Sequence, residues 1–332
     1  MIVHHREKQD KNAVKLILLI TVAGLGLRLL LLIVAGWRYD YDEGMVGLQV
    51  LHILDGDRPI FHPGQPYLAA LESYLIAPIF AVFGANAVTL KIVPWLLSGG
   101  YVATTGWLGW RAFDRRVGVL STLLAAFAPS YLLVGGMKTW GATAETLLLG
   151  NLLLIAASYA LEKNGTQIHT DDTDLKTKEQ KYMLLLGLLG GIAFWVSWLS
   201  TFYAMPILIA FMIYRRDLLH KSYWPIWTQA GLAFVIGSAP FWGYNLTHHF
   251  ETFRYLLSDQ GDTWSNAWAV LDHLNYDLSP RLVSGDPKWR LLSWPAIWWL
   301  QIVYEGGLVA LLILAWRKKS FPTRALLAIF TI

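Results

Sequence analysis

The sequence predicts an all-α integral membrane protein, a bundle of helices that crosses the bilayer several times. Over its 332 residues the chain is 55% hydrophobic and only 15% charged, and its mean hydropathy is +0.42. A water-soluble domain of this size does not hide that much apolar surface in one core. The 17 Trp and 15 Tyr residues cluster near the ends of the apolar stretches, which is typical of side chains that anchor at lipid headgroups.

Eight apolar stretches are predicted to cross the bilayer, because most of them approach the roughly 20 residues that one span needs. They form helices, since lipid cannot satisfy exposed backbone groups. Residues 182–214 would make a helix of roughly 50 Å, which is too long for one span, so we expect two short spans that turn near Ser200 and Thr201. The predicted spans are residues 14–36, 87–110, 117–135, 143–161, 182–199, 201–214, 224–246 and 294–316.

The spans are expected to form a single transmembrane domain over residues 1–332. A ninth apolar run begins near residue 322, and the sequence stops inside it. Because a terminal carboxylate is costly to bury in lipid, we expect that a C-terminal portion is missing.

The basic residues predict the orientation, since Lys and Arg concentrate in cytoplasmic loops. They fall in five blocks, at the N-terminus and within residues 111–116, 163–181, 215–221 and 317–324. Placing every block inside puts the N-terminus in the cytoplasm and makes residues 37–84 and 247–293 two outward loops. The apolar segment 66–83 would reverse this order if it crossed the bilayer. Glu72 and Pro78 interrupt it, so we predict that it lies in the outer interface.

Charge and cysteine content exclude several classes of function. The net charge is +4, and the basic residues lie in short blocks between apolar runs, which argues against a nucleic-acid partner. The chain has no cysteine. Disulfides, thiolate zinc sites and a cysteine nucleophile are therefore excluded for this sequence.

The first outward loop carries the most informative motif, Tyr39-Asp40-Tyr41-Asp42-Glu43-Gly44. It places three carboxylates directly after the first span. The pattern from Asp42 to Asp55 predicts a short interfacial helix, and two Gly- and Pro-containing stretches then break the chain. Asp42 has two interpretations at this point: a cap of the predicted helix, or a functional carboxylate at the membrane surface.

The order of motifs resembles the GT-C fold glycosyltransferases, in particular the branch of protein O-mannosyltransferases and aminoarabinose lipid A transferases. The resemblance covers roughly residues 14–165. Its matching features are Arg28 late in the first span, Asp42-Glu43, Gln65-Pro66-Tyr67-Leu68, the Phe83-Gly84 turn, and Lys91 at the start of the second span.

The resemblance implies a polytopic bundle of GT-C type and an inverting sugar transfer at the outer face of the membrane. The donor would be a polyprenyl-phosphate sugar, and the acceptor a hydroxyl of a protein, lipid or glycan. Asp42 stands where the family has its general base, with Glu43 beside it as the second catalytic candidate. A carboxylate within hydrogen-bond reach of the acceptor takes its proton as the oxygen attacks C1.

The leaving lipid phosphate needs a cation to stabilise its developing negative charge. Arg or Lys does this without a metal, so no cofactor is required. The family often has a Lys before its Pro pair and an Arg after its Asp-Glu pair, where this chain has His62 or Gln65 and Met45. The candidates on the outer side are Arg58, His62, Lys91 and Lys138.

Two further residues are predicted to orient the substrate. Glu145 lies at the outer end of the fourth span, just after the hairpin with Lys138, and Gln65 lies in the first outward loop. Ionisable groups at such depths are expensive and usually functional. A Glu145–Lys138 ion pair is the alternative for this hairpin, and Arg28 is expected to pair with an acidic residue of the first loop.

The second outward loop offers carboxylates and aromatic rings that fit no defined metal motif, so an interfacial loop is favoured over a divalent metal site. The alternatives to an enzyme are a multi-span transporter or lipid flippase and an inactive fragment. Transporters usually place ionisable groups near the bilayer midplane and show repeated halves, and this sequence shows neither. The carboxylates of the second outward loop are Asp259, Asp262, Asp272, Asp277 and Asp286, and its aromatic rings are Trp264, Trp268 and Trp289.

Overall fold

The computed structural model describes residues 2–128, 130–161, 172–216, 220 and 223–258, and this part of the chain is mostly helical, as predicted. The eighth and ninth predicted apolar runs, and the second outward loop beyond residue 258, lie outside it. The helices are α1 (Ile2–Val34), α2 (Tyr41–Leu54), α3 (Leu71–Phe83), α4 (Ala87–Ala112), α5 (Arg115–Ala126), α6 (Ser130–Gly135), α7 (Thr143–Leu161), α8 (Asp172–Val196), α9 (Thr201–Tyr214), α10 (Trp224–Gly237), α11 (Ala239–Thr247) and α12 (Glu251–Leu257); a 3₁₀ turn spans Trp198–Ser200.

Two helical stretches of the described chain are long and apolar enough to cross a membrane. They are Asp10–Val34 within α1 and Thr143–Leu161, which is α7. Large apolar side chains also stay uncovered on the helices, among them Leu19 and Val22 of α1 and Met205 of α9, which are 66–67% exposed. The helical body therefore presents apolar surface to its surroundings.

The long helices pack in a chain of contacts, α1 on α4 and α5, α4 on α7, α7 on α8, and α8 on α10. The closest approach is between α8 and α10, where Gly187 and Gly191 face the backbone of α10. A Cβ on either glycine would lie 2.1 Å from the carbonyl oxygen of Ala230 or Phe234. Small residues four apart that let two backbones meet are a frequent packing device of membrane helices.

The predicted third span, 117–135, is broken in the structure, because α5 ends at Ala126 and α6 starts at Ser130. The side chain of Arg28 reaches this break from α1 and donates hydrogen bonds to the carbonyl oxygens of Ala125 at 3.1 Å and Ala126 at 2.9 Å. Carbonyls at a helix C-terminus lack partners and carry partial negative charge. The expectation that Arg28 pairs with an acidic residue of the first loop is therefore wrong.

The predicted seventh span, 224–246, is also interrupted, by a bend at Ser238 between α10 and α11. The Ser238 hydroxyl donates to the carbonyl of Phe234 at 2.7 Å and accepts from the indole N–H of Trp242 at 3.0 Å. Pro240, at the start of α11, has no N–H to continue the hydrogen-bond ladder. A proline at this point is a common cause of a helix bend.

The segment predicted to be the first outward loop, residues 37–84, folds into α2, a small antiparallel hairpin and α3, so the fold is not purely α-helical. The hairpin strands are β1 (Phe61–His62) and β2 (Gln65–Ala69), and His62 pairs with Gln65. Gln49 of α2 fixes this unit, because its amide donates to the carbonyl of Phe61 and accepts from the Ser73 hydroxyl of α3. Apolar side chains of α2, α3 and α4 fill the space beneath it: Val46, Val50, Ile53, Ile76, Ala77, Phe80, Leu90 and Val93.

Candidate functional site

The three carboxylates after the first span have three different environments. Asp40 caps α2 and forms a capping box with Glu43, in which each side chain accepts a hydrogen bond from the backbone N–H of the other. The capping role that composition suggests for Asp42 therefore belongs to Asp40. Asp42 lies in the first turn of α2, is exposed, and makes no side-chain hydrogen bond or ion pair within the described residues.

Glu43 is buried, and its carboxylate is fully engaged. It forms an ion pair with Lys91 at the start of α4 and accepts from the backbone N–H of Thr139 at 3.0 Å. The side chains of Glu43 and Lys91 are only 1% and 3% exposed. The contact ties α2 to α4 and to the segment before α7. A role of Glu43 in proton transfer or of Lys91 in phosphate binding would require this ion pair to open.

Asp40 forms a second, more exposed ion pair with Lys138. The Lys138 ammonium lies 2.5 Å from the Asp40 carboxylate and 4.4 Å above the Trp140 ring, and the Trp140 indole N–H donates to Asp40 at 3.2 Å. Desolvation alone would raise the pKa of Asp40, but the hydrogen bonds from Lys138, the Glu43 N–H and Trp140 outweigh it and lower this pKa to about 2. Lys138 thus pairs with Asp40, and the alternative of a Lys138–Glu145 pair is wrong.

The segment between Lys138 and α7 turns sharply at Gly141 and Ala142, which have φ angles of +64° and +70°. The ring of His62 lies against Gly141 so closely that a Cβ there would be 2.2 Å from its Nε2 atom. Only glycine fits this contact, and Ala142 holds a conformation that L residues rarely adopt. Burial lowers the pKa of His62 to about 4, so at neutral pH its imidazole brings no positive charge to a phosphate.

Two buried glutamates lie beside this turn. Glu72 of α3 accepts from the backbone N–H of Gly141 at 2.8 Å through one oxygen, and Glu145 lies in the first turn of α7. The two side chains are 1% and 3% exposed. Burial and, next, repulsion from Glu145 raise the pKa of Glu72 well above its ordinary value of 4.5. We call His62, Glu72 and Glu145 the acidic corner.

Several polar atoms of the acidic corner have no hydrogen-bond partner. They are Nε2 of His62, one oxygen of Glu72 and both oxygens of Glu145, and all are inaccessible to solvent. Buried polar atoms are nearly always paired, so each exception needs an explanation. In the sequence, Glu72 was interpreted only as an interruption of an apolar segment. A carboxylate within an apolar run is itself a signal of a functional residue, and it could have identified Glu72.

The remaining predicted site residues lie near these groups in sequence but make other contacts. Arg58 is exposed and donates to backbone carbonyls of its own turn, Ile53 at 3.3 Å and Asp57 at 2.7 Å. Gln65 opens β2 opposite His62. The structure therefore brings Glu43, Lys91, Lys138, His62 and Glu145 to the segment 138–145, while Arg58 is held by its own loop.

The chain matches no protein-family model, no curated protein and no solved structure. Among the described residues, no three or more His, Cys, Asp or Glu side chains come together to hold a metal ion. What the structure defines is a helical body with an ionisable site built from the starts of α2, α4 and α7.

Proposed function

We propose that the chain is a multi-span membrane glycosyltransferase of GT-C type. It moves a sugar from a polyprenyl-phosphate donor to a hydroxyl acceptor at the extracytoplasmic face of the membrane, with inversion at C1. The proposal combines the resemblance in motif order with three features of the structure: apolar helix surface, the free carboxylate of Asp42, and unpaired polar groups around the turn at Gly141.

Placement in a membrane is supported by the surface of the helices. Exposed large apolar side chains recur on α1, α9 and α10, for example Phe202 at 61% and Ile236 at 69%. Exposed large apolar side chains in such number are unfavourable in water and favourable in lipid. The glycine contacts between α8 and α10 fit the same environment.

The free carboxylate of Asp42 is the observation that carries the proposal. Asp40 is bound to Lys138 and Glu43 to Lys91, so within the described residues Asp42 is the carboxylate of this motif that is available to a substrate. In the proposed step the acceptor oxygen attacks C1 while its proton passes to Asp42. The bond from C1 to the phosphate oxygen breaks, and the polyprenyl phosphate leaves with the electron pair. One displacement of this kind inverts C1.

Lys138 is the best-placed cation for the leaving phosphate. Its side chain is 27% exposed and is held beside the first turn of α2 by Asp40 and Trp140. A positioned ammonium stabilises the negative charge that develops on the phosphate oxygen. Arg58 is the second candidate. Lys91 is less suitable because it is buried with Glu43, and His62 because it is neutral.

The position of the ionisable groups favours an enzyme over a transporter. Glu43 and Glu145 lie in the first turns of α2 and α7, and Lys91 is the fifth residue of α4, so all three are near the starts of these helices. Transporter sites usually lie halfway along their spans, at the bilayer midplane. A site at helix ends meets substrates that sit at the membrane surface.

The test is transfer of radiolabelled sugar in membranes that contain the wild-type chain or the Asp42→Asn variant. Loss of a general base lowers the rate by on the order of 10²–10⁴-fold. Asp57→Asn is the matched control, because Asp57 is an exposed carboxylate of the same loop whose side chain, within the described residues, pairs with the exposed His52 alone. Wild-type activity with full activity of Asp42→Asn would refute the assignment, and no transfer by the wild type would favour the inactive fragment.

A further inference from the structure

Four polar atoms of the acidic corner have no hydrogen-bond partner among the residues that the structure describes. Its unpaired atoms are three carboxyl oxygens and one imidazole nitrogen, on side chains that are at least nine-tenths buried. An unpaired buried polar group costs about 1–3 kcal/mol. Four such atoms around one turn mark a place where a ligand supplies the missing partners.

The size of the ligand follows from the spacing of the groups. His62 and Glu72 both contact Gly141, on different elements, and Glu145 follows four residues later in α7. Within the described residues these side chains do not gather closely enough to share a metal ion. The unpaired atoms lie on side chains of three different elements, so a ligand that pairs with them presents several hydrogen-bond donors. Adjacent hydroxyl groups on a sugar ring have this chemistry.

The charge of the ligand follows from the neighbouring ion pairs. Lys91 is committed to Glu43. Lys138 is held by Asp40 beside the first turn of α2, where the proposed function assigns it to the donor phosphate, so neither ammonium is left for an anionic group on the sugar at the corner. A carboxylate or phosphate on the sugar ring would meet two acidic side chains and be repelled. Burial raises the pKa of Glu72, which reduces the negative charge of the corner and with it the preference for a cationic ligand over an uncharged one.

We propose that the acidic corner binds the uncharged monosaccharide group of the donor through its ring hydroxyls. The inference rests on the proposed function and adds the substrate class: a neutral sugar, to the exclusion of uronic acids and other anionic sugars. Glu72, Glu145 and His62 are then sugar-binding residues, whereas Asp42 acts on the acceptor. The strained turn at Gly141 and Ala142 places the three groups.

The test measures binding without requiring transfer. The full chain in lipid nanodiscs is treated with an apolar carbodiimide, which modifies protonated buried carboxyl groups, and modification of Glu72 is read by peptide mass spectrometry. The probes are glucose, glucuronate, which differs from glucose only in its carboxylate at C6, and glucosamine, which differs from glucose only in its amine at C2. A sugar at ten times its dissociation constant lowers the modification about tenfold.

Glucose is expected to protect Glu72 and glucuronate to leave it unprotected. Protection is expected to weaken in His62→Ala and Glu145→Ala and to persist in Asp57→Asn. Equal modification with and without glucose, protection by glucosamine alone, protection by glucuronate, or no modification of Glu72 in any sample would each overturn the inference.

The two proposals fail in different ways. Asp42→Asn is expected to lose transfer and keep protection by glucose. If glucose protects Glu72 in the wild type but the wild type transfers no sugar, the sugar-binding site is supported and the proposed glycosyltransferase activity is refuted. If transfer depends on Asp42 and glucose gives no protection, the enzyme stands and the acidic corner is not its sugar site.

Discussion

Replacing either Glu43 or Lys91 alone is expected to destabilise the fold strongly. Replacing both together is expected to change the stability of the fold only slightly. The pair joins α2 to α4, and both side chains are almost fully buried. Lys91→Met leaves the Glu43 carboxylate in place with only the N–H groups of Thr139 and Asp40 as donors. Glu43→Gln leaves the Lys91 ammonium buried without a counter-charge.

The magnitude follows from the burial of the charges. Leaving one charge of a buried pair uncompensated costs about 3–5 kcal/mol. Because each charge here keeps at least one hydrogen-bonding neighbour, we expect each single variant to lose about 3 kcal/mol, the lower end of that range. The double variant keeps an amide oxygen for the Thr139 N–H and buries no charge. Its free energy of unfolding is therefore expected to lie within about 1 kcal/mol of the wild-type value.

The assay is a double-mutant cycle on the free energy of unfolding, measured by SDS titration in mixed micelles. We expect the cost of both changes together to be smaller than the sum of the two single costs by at least about 2 kcal/mol. Asp57→Asn, an exposed carboxylate of the same loop, serves as the control and should stay within about 0.5 kcal/mol. Single variants as stable as the control, or additive losses, would refute the buried ion pair.

Three further predictions use the same assay. Arg28→Leu should lose about 2–3 kcal/mol, because the last carbonyls of α5 lose charged donors; an unchanged free energy would contradict the capping role. Gly141→Ala should lose more than about 1 kcal/mol and recover part of it with His62→Ala, whereas Gly26→Ala, with open space around it, should be neutral or stabilising. The free energy of unfolding of Glu72→Gln should match that of the wild type below pH 4.5 and exceed it by a growing amount toward pH 8. The reason is that a raised pKa in the fold makes folding take up a proton, so wild-type stability falls as pH rises above the ordinary pKa of 4.5. A pH-independent difference would contradict that environment for Glu72.

Helical periodicity and apolar length are local properties, and they placed most of the helices well. The interfacial helix expected from Asp42 onward is α2, and the turn expected near Ser200 is the 3₁₀ segment between α8 and α9. The sequence analysis did not predict the break after Ala126 or the bend at Ser238. The break is linked to a distant partner, the Arg28 side chain that binds the end of α5 from α1, whereas Pro240 was a local signal for the bend.

The site shows the same division between local and long-range information. A motif such as Asp42-Glu43 is visible in the sequence, but which carboxylate is free depends on two distant lysines. Lys91, which pairs with Glu43, is 48 residues away, and Lys138, which pairs with Asp40, is 98 residues away. His62 looked like a cation because its burial cannot be read from its neighbours. Glu72 looked like a mere interruption because its contact with Gly141 joins residues 69 apart.

The most direct test of the proposed membrane enzyme is the side of the membrane on which the start of α2 lies. Cysteine is absent from the chain, so a single Tyr41→Cys substitution, at a side chain that is 79% exposed, reports this position alone. We expect an impermeant maleimide to modify Tyr41→Cys on intact cells, and Arg216→Cys, in a predicted cytoplasmic block, only after permeabilisation. Modification of Tyr41→Cys only in permeabilised cells would contradict a sugar transfer at the outer face.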